Sequence, residues 1–230
     1  MSDQKPFEPG AGRGRFAAVE FAMNPEPRCP CILLLDTSGS MGGDPIESLN
    51  AGLAAFKSEL QSDPLASKRV EVAVFTFGPV KKVVDFVSAG SFDPPKLMAD
   101  GLTPMAEAIV TALDALEQRK AAYKANGVAY YRPWVFLMTD GEPTDEPALV
   151  EAAATRIKEA EKQKAVAFFA VGVDEADMAA LSRLTTRTPL KLKGLAFREL
   201  FSWLSTSLQR VSQSQVGEAV ALPAVGWNEV

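Results

Sequence analysis

The chain has 230 residues, 47% of them hydrophobic and 23% charged, with a net charge of −5. That length allows one large domain or two small ones with a sizeable core, and the acidic balance argues against nucleic acid as the main ligand, because affinity there rests on basic surface. The lack of any histidine removes Ser-His-Asp and Cys-His catalysis, His-ligated zinc and a histidine pH switch.

Residues 1–16 are polar, carry Pro6, Pro9, Gly10, Gly12 and Gly14, and lack the apolar core of a signal peptide. No run of 18 apolar residues follows, so the expectation is a cytoplasmic protein with no membrane span. Residues 1–27 read as a mobile tail, with a short strand at Ala17, Ala18, Val19 and Phe21. The two cysteines, Cys29 and Cys31, read as free thiols of a reducing compartment; alone they cannot furnish a four-ligand zinc site.

The apolar run 31–36 reads as a buried strand. A helix is expected from Asp44, with Asp44 as N-cap, Pro45 at the first helical position and Glu47 completing a capping box. Its Ile46, Leu49, Leu53, Phe56 and Leu60 repeat at three and four, so they share one inward face. Residues 70–77 and 80–87 are β-rich runs joined at Gly78-Pro79, a hairpin pattern. A helix follows from Thr103-Pro104 and buries Ile109, Leu113 and Leu116. Residues 134–139 form a strand ending at Asp140. A helix over 146–164, a strand over 165–171, a short helix over 175–184 and an edge strand at Leu190 and Leu192 come next. The last helix carries Phe197, Leu200, Phe201, Leu204, Leu208 and Val211 on one face. Strands alternating with helices of this length predict an α/β fold: a central, mostly parallel six-stranded sheet with one antiparallel edge strand and helices on both faces. The expected organisation is one domain over 28–212 and a C-terminal tail over 213–230, where the sequence leaves open whether Trp227 docks back.

Asp36, Ser38 and Ser40 form a loop at the end of the first strand, and their oxygens suit a hard divalent cation such as Mg²⁺, with Mn²⁺ or Ca²⁺ as alternatives. Thr103 lies at the start of a helix and Asp140 at the carboxyl end of the strand over 134–139. Ligands of open α/β sheets bind beyond the carboxyl ends of strands where strand order reverses. If the strands before Asp36 and Asp140 are neighbours there, the loops converge. Ser38, Ser40 and Thr103 would then bind the cation directly, and Asp36 and Asp140 would hold metal-bound waters and orient the hydroxyls. Neutral direct ligands leave the metal electrophilic and open to an acidic group from outside. Alone, each piece also fits a blander role: an Asx turn, a helix N-cap or an Asp-Gly turn.

The conjunction resembles the von Willebrand factor A family and its metal-ion-dependent adhesion site, which reads Asp-x-Ser-x-Ser, then Thr, then Asp. All five positions match, at Asp36, Ser38, Ser40, Thr103 and Asp140, and the resemblance spans roughly residues 28–212. Within the family, the stretches 29–41, 130–134, 139–145 and 195–201 look like the bacterial TerY-like subfamily, associated with tellurite and chemical-stress resistance. That resemblance implies partners among protein kinases and metal-dependent phosphatases of the 2C type. No cysteine follows Cys31, so the cysteine-rich zinc module of some relatives is not expected.

The function expected is a non-enzymatic interaction module whose metal bridges to an Asp or Glu of a protein partner. One alternative is a phosphotransfer enzyme with Asp36 as nucleophile. Enzymes of the haloacid-dehalogenase type carry a second Asp two residues on, where this chain has Ser38, and no Walker-type phosphate loop is present. The other alternative is a scaffold that does not use the metal. Glu142 reads as rim; Thr144 and Asp145 read as caps of the helix over 146–164; Tyr130 and Tyr131 read as packing residues.

Overall fold

The computed structural model describes residues 21–228. Six strands, β1 Cys29–Asp36, β2 Val70–Phe77, β3 Lys81–Ser88, β4 Trp134–Thr139, β5 Ala167–Gly172 and β6 Leu190–Lys191, form one sheet in the order β3-β2-β1-β4-β5-β6. β3 runs antiparallel to β2 at one edge and the other pairings are parallel. The expected α/β architecture is therefore the observed one.

The helices are α1 Asp44–Ser62, α2 Ala66–Arg69, α3 Met105–Ala125, α4 Pro147–Lys162, α5 Met178–Leu184 and α6 Phe197–Gln213. The sheet is buried on both faces, as continuous hydrophobic strands require. Cys29, Cys31, Leu33 and Leu35 join α1 and α6 in one core, and Ile32 and Leu34 join α3, α4 and α5 in the other. Both cysteines are free and fully buried; burial, then Glu71, pushes the Cys29 thiol up to about 12. Among the described residues no helix is long and apolar enough to cross a membrane.

Several expected details differ. α1 is capped by Gly43 at a φ of 82°, not by the Asp44 side chain, and no side-chain cap bond forms; glycine takes that backbone conformation at no steric cost. The strand over 165–171 is displaced to 167–172 because Arg132 and the end of α4 hold the preceding residues: Arg132 Nε donates to Val166 O at 2.8 Å, and Ala165 N to Ala160 O at 2.8 Å. The short helix α2 has no counterpart in the sequence reading; Asp63 starts it by accepting from Leu65 N and Ala66 N at 2.9 and 2.7 Å.

Residues flanking 28–212 pack onto that body. Ala17, Ala18 and Val19 lie outside the described residues, and Phe21, expected to extend their strand, sits in a helical turn. Phe21 is buried against Tyr123, and Glu26 pairs with Arg69 at 2.7 Å. Beneath it the Glu71 carboxylate, fully buried, accepts from Arg28 at 2.8 Å, from Arg119 at 2.7 and 2.9 Å, and from the Tyr123 hydroxyl. A buried charge survives only when paired and hydrogen-bonded in this way. At the other end Trp227 is buried against Trp203, whose Nε1 donates to Pro223 O at 3.0 Å.

Candidate metal centre

The strand order reverses between β1 and β4: from β1 the chain proceeds outward to β2 and β3, then returns to lay β4, β5 and β6 on the other side. The crevice beyond the carboxyl ends of β1 and β4 is where such sheets bind ligands. Asp36 ends β1, and Asp140 follows Thr139, the last residue of β4.

Asp36 is fully buried. Its Oδ1 accepts from Ser38 N at 2.8 Å and its Oδ2 from the Thr139 hydroxyl at 2.5 Å. Ser38 and Ser40 share a hydroxyl hydrogen bond of 3.0 Å, and Ser40 Oγ donates to Asp140 Oδ1 at 2.9 Å. Four of the five expected side chains are thus joined in one group. The fifth, Thr103, lies against Gly141, its Oγ1 3.7 Å from where a β-carbon on that glycine would stand. Among the described residues its hydroxyl has no hydrogen-bond partner. Its backbone is fixed instead: Thr103 N donates to Thr144 Oγ1 at 3.2 Å, and Thr144 N donates to Thr103 O at 2.9 Å.

Backbone bonds lock the three loops together. Thr37 N donates to Phe77 O and Asp100 N to Thr37 O, both at 2.8 Å, and Gly39 N donates to Gly101 O at 3.0 Å. The approach is so close that a β-carbon on Gly101, itself at a φ of 79°, would stand 2.3 Å from Gly78 O. Only glycine fits there.

Thr139, not among the five expected residues, holds Asp36 and also accepts from Gly141 N at 3.2 Å. Its signal was a hydroxyl residue closing a strand just before Asp140. Thr144 and Asp145, expected to cap α4, serve elsewhere: Thr144 braces Thr103. Asp145 caps α3 instead, accepting from Ala106 N at 2.9 Å and Glu107 N at 3.0 Å, because the loop after β4 folds back over the start of that helix. Glu142 is exposed on the rim. Tyr131 is packed, with its hydroxyl donating to Ser214 O at 2.6 Å, and Tyr130 is half-buried against the Tyr123 ring.

The electrostatics show a shortage of positive charge. Burial raises the Asp36 carboxyl above its ordinary range; hydrogen bonds from Ser38 and Thr139 oppose the rise, and Asp140 adds to it. Burial likewise raises Asp140, against the Ser40 hydrogen bond and with help from Asp174. Among the described residues no lysine or arginine pairs with either carboxylate. Nor do three or more His, Cys, Asp or Glu side chains gather to hold a metal, so a cation here depends on hydroxyl oxygens. Two uncompensated carboxylates, two hydroxyls bonded to one another and a third without a protein partner form a donor set that fits a hard divalent cation.

The family model of the von Willebrand factor type A domain matches residues 31–199. Among solved structures the fold is similar to that of proximal thread matrix protein 1 of the mussel byssus with a zinc-occupied MIDAS motif, at 17% identity and a TM-score of 0.53 over 80% of this chain and 48% of that one. It is similar to the pilus adhesin SpaC of Lactobacillus rhamnosus GG, at 15% identity and a TM-score of 0.60 over 80% of this chain and 31% of that one. The vWF domain of the type V pili tip protein Mfa5 from Porphyromonas gingivalis matches at 12% identity and a TM-score of 0.53, over 85% of this chain and 99% of that one. At these identities the likeness is one of fold. The chain spans about half the length of the mussel protein and about a third of the adhesin. No curated protein matches it by sequence.

Proposed function

The chain belongs to the von Willebrand factor type A domain family, and from that premise we propose that it is a non-enzymatic, divalent-metal-dependent protein-interaction module. Ser38, Ser40 and Thr103 hold the cation directly, while Asp36 and Asp140 orient the hydroxyls and metal-bound waters. The cation, Mg²⁺ by preference and Mn²⁺ or Ca²⁺ otherwise, supplies the positive charge that meets an Asp or Glu of the partner. The zinc-occupied MIDAS motif of the mussel protein supports a divalent ion at this place in the fold.

The observation that carries the reading is the set of three hydroxyls around two carboxylates that have no basic partner among the described residues. The rim suits a docking face: Leu102, next to Thr103, is 70% exposed, and Met98 in the same loop is 80% exposed. The buried state of Asp36, with both oxygens engaged, favours this reading over phosphotransfer, because a nucleophile must reach its substrate. We propose further that the module serves a cytoplasmic bacterial tellurite- or stress-resistance system, with a kinase and a 2C-type phosphatase as candidate partners, a reading supported by the TerY-like stretches alone.

The test is a pull-down from bacterial extract with wild type and Asp36→Ala, each with Mg²⁺ or EDTA, read by mass spectrometry. Proteins held only by metal-loaded wild type are the expected result. Identical capture in all four arms would sink the reading and leave a scaffold that binds through another face.

A further inference from the structure

At the pole opposite the metal centre, a groove of about 1140 Å³ opens beyond the amino ends of β4 and β5. Its walls are the carboxyl halves of α3 and α4, the end of α6 and the segment 216–222. Six basic residues line it, Lys120, Lys124, Arg132, Arg156, Lys164 and Arg187, against three acidic ones, Glu117, Glu159 and Glu218. Asp114 and Glu161, outside the lining, each pair with one of the arginines, so the charge the groove offers rests chiefly on exposed Lys124 and Lys164.

The positive charge is only partly neutralised. Lys120 pairs with Glu117 and Arg156 with Asp114, each at 2.6 Å, and Arg187 pairs with Glu161 at 2.9 Å. Among the described residues no carboxylate forms an ion pair with Arg132, which donates to the carbonyls of Val166 and Glu161 and feels the Glu161 carboxylate only through space. Burial, and then the neighbouring Arg187 charge, holds Arg132 below the ordinary arginine range. Lys124 and Lys164 are exposed and have no ion-pair partner among the described residues. Lys164 sits at a φ of 56°, at the end of α4, in a conformation that glycine normally supplies. The floor is apolar and aromatic, lined by buried Trp134 and half-buried Phe169, with Arg187 5.0 Å from the Phe169 centroid.

We propose that this groove is a second interaction site, which takes an acidic peptide segment of a partner protein with apolar side chains interleaved among its carboxylates. The charge excess supplies complementarity, and the floor supplies burial for the apolar side chains. The groove exceeds the 300–1,000 Å³ or so typical of small-ligand pockets, which favours a peptide over a small anion. The site uses no residue of the metal centre, so it stands whether or not that centre binds a cation.

The test is fluorescence anisotropy with a short labelled peptide alternating Glu and Leu, titrated with the full chain in EDTA. The same peptide with Gln for Glu is the control. Binding of the Glu peptide alone is expected, weakening with salt. K124E/K164E should weaken it by about tenfold or more, and Asp36→Ala should leave it unchanged. Both lysines are exposed, and K124Q/K164Q serves as a milder variant if the reversal unfolds the chain. Equal binding of the Gln peptide, indifference to the lysine variants, or loss on Asp36→Ala would each overturn the proposal. Full displacement by millimolar inorganic phosphate would also overturn it, by showing a small-anion site.

Discussion

Asp36 is held in place by its neighbours in sequence on one side and by the adjacent strand on the other. Ser38 N and the Thr139 hydroxyl take one oxygen each, so the carboxylate is oriented before any cation arrives. Its burial has a pH consequence. The folded-state value of Asp36 lies above the ordinary 3.8, so the native state holds more protons than the unfolded chain between the two values. Metal-free protein should therefore lose stability as pH rises through that window, and the penalty should be fully present above it. Urea unfolding of metal-free wild type and Asp36→Asn across pH 4–7 checks this: the variant should show a flatter profile, and a wild type no steeper than the variant would refute it. Saturating Mg²⁺ should remove the penalty at neutral pH, since it compensates the charge and binds the native state alone. The convergence of Asp36, Ser38, Ser40 and Asp140 could be read because each sits at a fixed offset from a strand end. Thr139 acts across β1 and β4, and only their pairing shows which carboxylate it reaches. The Gly78–Gly101 contact joins loops with no sequence relation, so nothing local announced it.

Between elements, α1 and α6 meet more closely than their hydrophobic stripes require. A β-carbon on Gly52 would stand 2.6 Å from Phe201 Cδ2 and 3.1 Å from Phe197 Cβ. Gly52→Ala should thus cost about 1–3 kcal/mol by forcing the two phenylalanines aside, despite alanine's better helix propensity. Chemical denaturation measures the change, and a variant as stable as wild type would show that α6 can shift freely. The helices themselves were legible: Ile46, Leu49, Leu53, Phe56 and Leu60, and the six apolar positions of α6, are buried as their spacing implied. The strands were legible because runs such as 31–36 are buried on both faces and need no alternation. Helix caps were not, because tertiary contacts and backbone turns set them. Asp145 caps α3 from across the molecule, and the turn at Gly43 moves the start of α1 by one residue.

At the scale of the whole molecule, the sheet order places Asp36 and Asp140 at one pole and the cationic groove at the other. Neither the pole-to-pole charge separation nor the Glu71 cluster could be read from the sequence, since both collect side chains from distant elements. A six-stranded open sheet also has two rims whose unpaired backbone groups can recruit another chain. On the β3 side, exposed Lys81 and Lys82 and a bulged register against β2 make a stranger's strand unwelcome. The β6 side carries Lys191 on a strand of only two residues and is further covered by the C-terminal segment. Leu192 bridges Asn228 in antiparallel fashion, Lys193 N donates to Trp227 O at 2.9 Å, and the buried indole of Trp227 anchors the strip. Deleting residues 223–230 should uncover that rim, and sedimentation velocity should show self-association rising with concentration beyond that of the full chain; unchanged sedimentation would mean that β6 is too short to nucleate pairing. The C-terminal tail, whose docking through Trp227 the sequence left open, thus lies where a selvedge would, the strip that keeps a woven edge from catching on its neighbour.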